Sequence, residues 1–322
     1  LLLFSYAILL VPESLMDYVT GLPQITYLEK PKLLYFADAF VRSISCITPV
    51  QEGVMGLSGN GVLLACIDSG VDYAHPDFCA PDGTSRIAIL WDQTIPGNPP
   101  MGYALGSVYT RQQINEALAS STPEERFALV PSRDVTGHGT AVLGIAAGNG
   151  RSSAYAAMRG VAPEATLVVV KLGNPDPADL PRTSQLLQAV DFCVRYALLV
   201  ERPLVINLSF GNNYGSHSGD SLLETYLNAV SNLGQNVICI GAGNEGDTGR
   251  HYAGNLKSDR KSSGQTQTVR ATSDPAATSA VSATADRAVS VEFQVGAYES
   301  SFSLQIWKVY GDEISIELIS PG

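Results

Sequence analysis

Four nearly continuous apolar runs constrain the fold of this chain most. They are residues 62–67 (VLLACI), 166–172 (TLVVVKL), 204–210 (LVINLSF) and 236–240 (NVICI). None alternates apolar with polar, so each reads as a strand buried on both faces. Two helical stretches lie between them. In 184–200 the residues Leu186, Leu187, Val190, Cys193, Val194, Ala197 and Leu198 recur at helical spacing, and in 220–233 so do Leu222, Leu223, Tyr226, Leu227, Val230 and Leu233. Buried strands joined by helices predict an α/β fold, a parallel sheet between two helical layers. Ligands on such a sheet bind beyond the carboxyl ends of its strands. Asp68, Ser209-Phe210-Gly211 and Ala242-Gly243-Asn244 all fall there.

Composition excludes several classes. The chain has 322 residues, of which 45% are hydrophobic, enough for a large core and against disorder over most of its length. Its 20 basic and 31 acidic residues give a net charge of −11, which argues against nucleic acid as the main partner. No window has the ~18 uninterrupted apolar residues of a membrane span. Five cysteines, an odd number without C-x2-C spacing, imply neither a disulfide framework nor a zinc site. Cys66, Cys193 and Cys239 sit in apolar runs and read as small buried hydrophobes. No calcium-ligand cluster is visible, and neither metal nor cofactor is expected.

The flanks differ from the middle. Residues 1–42 read as β-α-β: a strand over 4–11, a helix opened by Pro12-Glu13-Ser14, and an alternating strand over 24–28. The opening LLLFSYAILLVP lacks a basic start and an A-x-A site, so it reads as a strand, not a signal peptide. After about Ser262 a Ser-, Thr- and Ala-rich stretch leads into short alternating runs at 289–295, 302–307 and 313–319, the texture of an antiparallel β domain. The expected organisation is 1–42, 43–262 and 263–322. The start on Leu1 and the stop on Pro321-Gly322 read as cuts. The pairs Glu124-Glu125 and Asp312-Glu313 read as solvated faces.

Three segments carry chemistry. Asp68-Ser69-Gly70 delivers a carboxylate at a strand tip, followed by a glycine that permits a sharp turn. Asp134-Val135-Thr136-Gly137-His138-Gly139-Thr140 sets a histidine between two glycines at the start of an apolar helix. The glycines remove side-chain bulk, so another backbone can approach the imidazole; Thr140 can satisfy helix-start donors. Gly241-Ala242-Gly243-Asn244-Glu245-Gly246 follows a buried strand and can project an amide toward a developing oxyanion. Singly, each has a bland reading as a turn, a cap or a structural histidine.

In this order, D-S-G, H-G-T and G-N-E resemble the subtilisin-like serine proteases, the subtilases, over about residues 46–255. The resemblance implies a subtilisin-like three-layer sandwich. It implies that Asp68 orients the imidazole, His138 acts as general base and then acid, and Asn244 donates in the oxyanion hole. It further implies that Ser209-Phe210-Gly211 pairs with an extended substrate backbone, with Ala242-Gly243 as the other wall of the first specificity pocket. His75, in His75-Pro76-Asp77-Phe78, reads as structural. Tyr252 and His251 lie in a loop and read as cleft lining or packing.

The family nucleophile, the Ser of G-T-S-x-A-x-P, does not occur in the 322 residues. Gly83-Thr84-Ser85-Arg86-Ile87-Ala88 lies upstream of His138 and lacks the proline. Ala271-Thr272-Ser273-Asp274-Pro275 lacks the glycine, and Ser218-Gly219-Asp220-Ser221 lacks the surrounding pattern. Two expectations compete: a Ser downstream of Gly322 beyond an inserted β domain, or a pseudoprotease that binds a peptide without cleaving it. A dinucleotide-binding reading of 241–246 fails for want of a first-strand context. The segments PQITYLEKPKLLYF, SCITPVQ, GNEGDTGRHYAG and FSLQIWKVYGDEISIELISPG are similar to clostridial Csp-type spore-germination proteases. That resemblance implies that 1–42 is the C-terminal part of a pro-domain whose end lies in the active-site cleft, processed around 36–45. It also implies a jelly-roll insertion starting near 263, a protein substrate such as a cortex-lytic zymogen, and a spore-associated or extracellular location.

Overall fold

The computed structural model describes residues 6–31, 35–36, 47–52, 54–152, 159–174, 180–246, 252, 291–293, 295, 303–308 and 316–319. Its strands are β1 (Tyr35–Phe36), β2 (Leu63–Asp68), β3 (Ile87–Asp92), β4 (Ser107–Thr110), β5 (Thr166–Lys171), β6 (Leu204–Leu208), β7 (Phe210–Gly211) and β8 (Asn236–Ile240). Its helices are α1 (Met16–Thr20), α2 (Ile47–Glu52), α3 (Arg111–Leu118), α4 (Pro123–Leu129), α5 (His138–Ala147), α6 (Thr183–Leu199) and α7 (Leu222–Ser231). Six strands form one sheet in the order β4-β3-β5-β2-β6-β8. All its neighbours run parallel except β4, which pairs antiparallel with β3 at the edge.

Successive side chains on a strand point to opposite faces, and here both faces are covered. Leu63, Ala65 and Ile67 of β2 join a buried cluster with Val190, Cys193 and Val194 of α6 and Tyr226 and Val230 of α7. Leu64 and Cys66 join a second cluster with Ile114 and Ala117 of α3 and Leu143 and Ala147 of α5. The three-layer sandwich follows from the unalternating runs, as expected. Parallel register aligns the carboxyl ends of β2, β3 and β5, so Asp68, Asp92 and Lys171 lie side by side.

Some expectations did not hold locally. Residues 6–11 and 24–28 form no strand. Tyr6 and Ile8 instead pack on the cluster beneath α6 and α7, and the Tyr6 hydroxyl meets Thr225 Oγ1 at 3.0 Å. The run 204–210 breaks at Ser209, where the chain leaves the main sheet and Phe210–Gly211 pairs elsewhere. Val237, Cys239 and Ile240 are exposed, because β8 ends the sheet and α7 covers only its Ile238 face among the described residues. Cys66 and Cys193 are buried as expected.

The chain divides into two compact units, Leu1–Asn212 with Gly219–Asn244, and Asn213–Ser218 with Glu245–Gly322. In the second, Asn213 donates to Glu245 Oε2 and the Gly215 amide to Gln305 Oε1. Residues 303–308 and 316–319 form no strand, and most of the stretch expected to be antiparallel β lies outside the described residues. So do Cys46, His251, Ser273, Asp312, Glu313 and the boundaries near 42 and 262.

Candidate active site

The site starts from the carboxyl end of β2. Asp68 is 1% exposed there, and its Oδ1 accepts the Ser69 amide at 2.7 Å. The same oxygen lies 2.7 Å from His138 Nδ1. A carboxylate only accepts, so the contact fixes the proton on Nδ1 and makes Nε2 the acceptor nitrogen of the neutral ring. The imidazole is 10% exposed. Asp68 Oδ2 is buried and has no hydrogen-bond partner among the described residues.

The glycines explain how two elements come this close. A Cβ on Gly139 would overlap the Gly70 carbonyl oxygen and stand 3.1 Å from Asp68 Oδ1. Gly137 has a φ of 76°, a left-handed conformation that glycine takes without strain, and lets the chain turn into α5. Gly137 supplies no side-chain cap to that helix. Its first amides go instead to a polar cluster around Asp134. Gly137 N–H donates to Asp134 Oδ1 at 3.0 Å and Thr140 N–H to Oδ2 at 2.8 Å. His138 N–H donates to Thr136 Oγ1 at 3.2 Å and Gly139 N–H to Ser69 Oγ at 2.9 Å. Burial works against ionisation of Asp134, but the Thr140 hydroxyl and amide and the Ser69 and Thr136 hydroxyls outweigh it and hold its carboxyl below the usual range. Sequence reasoning quoted Asp134 without giving it a role. A carboxylate four residues ahead of the histidine, among hydroxyl residues, was the available signal.

The remaining expected residues line the same end of the sheet. The Gly241 amide donates to the Leu208 carbonyl at 3.0 Å, extending the β6–β8 ladder by one step. Gly243 then turns at a φ of 91°, and Ala242, Gly243 and exposed Asn244 follow past the carboxyl end of β8. Ser209 Oγ accepts from Asn207 Nδ2 at 2.8 Å. Phe210 is buried in the α6–α7 cluster, and its backbone belongs to β7, an edge strand outside the main sheet. That edge pairs antiparallel with β1, Tyr35 opposite Gly211 and Phe36 opposite Phe210. Earlier in the same N-terminal segment, Glu29 Oε2 accepts the Leu222 amide at the start of α7.

Several alternatives find structural roles. Ser85 is buried at the amino end of β3, the end of the sheet opposite Asp68, and its Oγ accepts the Ile87 amide. His75 Nδ1 accepts the Asp77 amide and caps a short 3-10 turn, Pro76–Phe78. Glu125 closes a capping box with Thr122 at the start of α4. Among the described residues no group of three or more His, Cys, Asp or Glu is placed to hold a metal, and no helix is long and apolar enough to cross a membrane.

A sequence model of the subtilase family matches residues 59–322. The chain belongs to the subtilase family. Among subtilases of known structure it is similar to the CspB protease of Clostridium perfringens: 34% identity, a TM-score of 0.59, and coverage of 66% of this chain and 43% of that one. It is 26% identical to subtilisin E of Bacillus subtilis over 228 residues, 70% of this chain and 46% of that protein. It is 30% identical to the major intracellular serine protease of Bacillus subtilis over 205 residues, 63% of this chain and 49% of that protein. This subtilase chain thus spans less than half the length of each of these relatives.

Proposed function

We propose that the protein is a serine endopeptidase and that Asp68 and His138 are two members of its triad. The observation that carries the reading is the 2.7 Å contact of His138 Nδ1 with a buried carboxylate at a strand tip. In this reading Nε2 takes the proton of a serine hydroxyl as that oxygen attacks the peptide carbonyl. It then returns the proton to the leaving amine. Asp68 stabilises the imidazolium between the two transfers. Asn244 donates to the oxyanion, an interaction of about 2.7–4 kcal/mol in subtilisin. Ser209-Phe210-Gly211 and Ala242-Gly243 hold the substrate backbone as an added strand.

The nucleophile belongs to the same proposal. No G-T-S-x-A-x-P occurs in these 322 residues, so this chain alone is inactive in this reading and the Ser lies downstream of Gly322. Its partners are a protein or peptide substrate and its own pro-domain, residues 1–42. Antiparallel pairing of residues 35–36 with 210–211 supports that role, since a pro-domain end in the cleft takes the substrate's place. Residues 43–262 would form the catalytic core and 263–322 the start of an inserted jelly-roll. The finer proposal, that the substrate is the pro-segment of a spore-cortex-lytic zymogen, rests on the resemblance to Csp-type proteases. The alternative reading is a pseudoprotease that holds a peptide in the same cleft.

Activity assays of the chain extended to its natural downstream sequence separate the two. The endopeptidase reading expects cleavage of an unfolded protein, abolished in His138→Ala by a factor of about 10⁴ or more. A natural downstream sequence without the Ser motif, or undiminished cleavage in His138→Ala, overturns it.

A further inference from the structure

The geometry points to Asp134 as a positioning residue that sets His138 on Asp68. It rests on the reading of those two residues as a catalytic pair. One carboxylate reaches both partners. Toward the histidine, it accepts the amides of Gly137 and Thr140 at 3.0 and 2.8 Å, and the Thr140 hydroxyl at 2.7 Å. These contacts bracket His138 at the first turn of α5. Toward the aspartate, Asp134 Oδ1 accepts the Ser69 hydroxyl at 2.8 Å, and the Ser69 amide donates to Asp68 Oδ1 at 2.7 Å. Ser69 Oγ in turn accepts the Gly139 amide at 2.9 Å and the Thr136 hydroxyl at 2.9 Å. His138 and Asp68 are 70 residues apart in the chain, on a helix and a strand. The Asp134–Ser69 bond ties those two elements beside the contact they form.

Two physical arguments make the carboxylate, rather than any acceptor, the operative group. The Gly137 cap has no side chain, so α5 begins without the usual hydroxyl or carboxyl acceptor of its own. Asp134 fills that place, and its charge faces the positive end of the helix. It also accepts on both oxygens at once, which an amide side chain cannot do, since one of its two ends only donates. The mount is held from behind. Lys171, 3% exposed and in register with Asp68, donates from Nζ to the Arg133 carbonyl at 2.5 Å, next to Asp134. A tilt of α5 by a fraction of an ångström would lengthen the His138–Asp68 contact without unfolding the helix.

The test reads the pair directly. A proton on His138 Nδ1, held at 2.7 Å by a carboxylate, gives a low-field proton resonance that exchanges slowly with water. It is assigned in this 322-residue chain by its loss in His138→Ala. In Asp134→Asn the resonance is expected to vanish or to exchange at least tenfold faster. Thr140→Val removes one hydroxyl from the mount and is expected to speed exchange in the same direction, which keeps the test decisive if Asp134→Asn does not fold. Val230→Ala, a core truncation on α7 of general destabilising effect, is expected to leave the resonance in place. An unchanged resonance and exchange rate in whichever of the two mount variants folds overturns the proposal, as does equal loss in Val230→Ala. In the active, downstream-extended protein, Thr140→Val is expected to lower kcat about tenfold with KM unchanged. A rise in KM with kcat constant overturns it. Because the first readout is a proton and not cleavage, an inactive full-length protein with the resonance intact would sink the enzymatic reading and leave the role of Asp134 standing.

Discussion

At the scale of single residues, the site is built where side chains are withheld. Gly139 has no room for a Cβ, since one would overlap the Gly70 carbonyl oxygen and crowd Asp68. Neither neighbour can yield cheaply, because the first is backbone and the second is locked by the Ser69 amide and His138. Gly139→Ala should therefore push α5 away from β2. The expected outcome is a loss of about 1–3 kcal/mol in denaturant unfolding, the range of an overpacked core. The low-field His138 proton should be lost with it. Gly144→Ala is the control, since nothing lies within 4 Å of a Cβ built there. Equal stability of the two variants would refute the steric argument. The motif Gly137-His138-Gly139 made this tightness legible in the sequence. The identity of the opposing atoms was not legible, because Gly70 and Asp68 lie far along the chain and only the packing of α5 on β2 brings them near.

At the scale of elements, legibility followed burial only in part. The expected strands 62–67, 166–172 and 236–240 match β2, β5 and β8 within a residue at either end, and 184–200 matches α6 as closely. β2, β5 and α6 have a strong pattern because each packs on a core by a wide face, whereas β8 packs only through Ile238. Among the missed elements, α3 and β4 bury little or are short, but β3 is neither: it has six residues, with Ile87, Leu90, Trp91 and Asp92 buried between β4 and β5. Of α3, only Ile114 and Ala117 are buried, and β4 is a four-residue edge strand with two polar ends. The junction of α6 and α7 holds a further feature invisible to pattern. Asp191, fully buried on α6, accepts the hydroxyls of Tyr103 and Tyr226 at 2.8 Å each and Arg195 Nε at 2.8 Å. Burial and the nearby carboxylate push both tyrosine hydroxyls well above their usual pKa, so both remain donors at any ordinary pH. Asp191→Ala strands two phenolic groups in the interior and is expected to cost about 3–5 kcal/mol. Arg195, 46% exposed on its side chain, contributes less, so Arg195→Ala is expected to cost under about 1 kcal/mol. Thermal unfolding of both variants checks the order; a milder loss for Asp191→Ala than for Arg195→Ala would contradict it.

At the scale of the whole molecule, the decisive relation joins the N-terminal segment of the first unit to its β7 and α7. Residues 35–36 are laid against 210–211 as an antiparallel strand, while Tyr6 and Glu29 of the same N-terminal segment contact Thr225 and Leu222 on α7. The anchoring on α7 holds the segment close, which raises its effective concentration at the β7 edge far above that of a free peptide. A free edge strand offers unpaired amides and carbonyls to any extended chain, so occupation by β1 and by a substrate should be mutually exclusive. Replacing both Tyr35 and Phe36 by proline removes whichever of their amides serves the ladder, without touching α7. The expected result is faster hydrogen exchange at the Phe210 and Gly211 amides, together with a gain in binding of an added extended peptide measured by titration calorimetry. The increase should exceed tenfold, because the competing intramolecular strand is lost while the edge is unaltered. If the amides exchange faster yet peptide binding stays as weak as in the parent chain, then β1 does not block the cleft, and the antiparallel pairing is a packing contact rather than the place of a substrate.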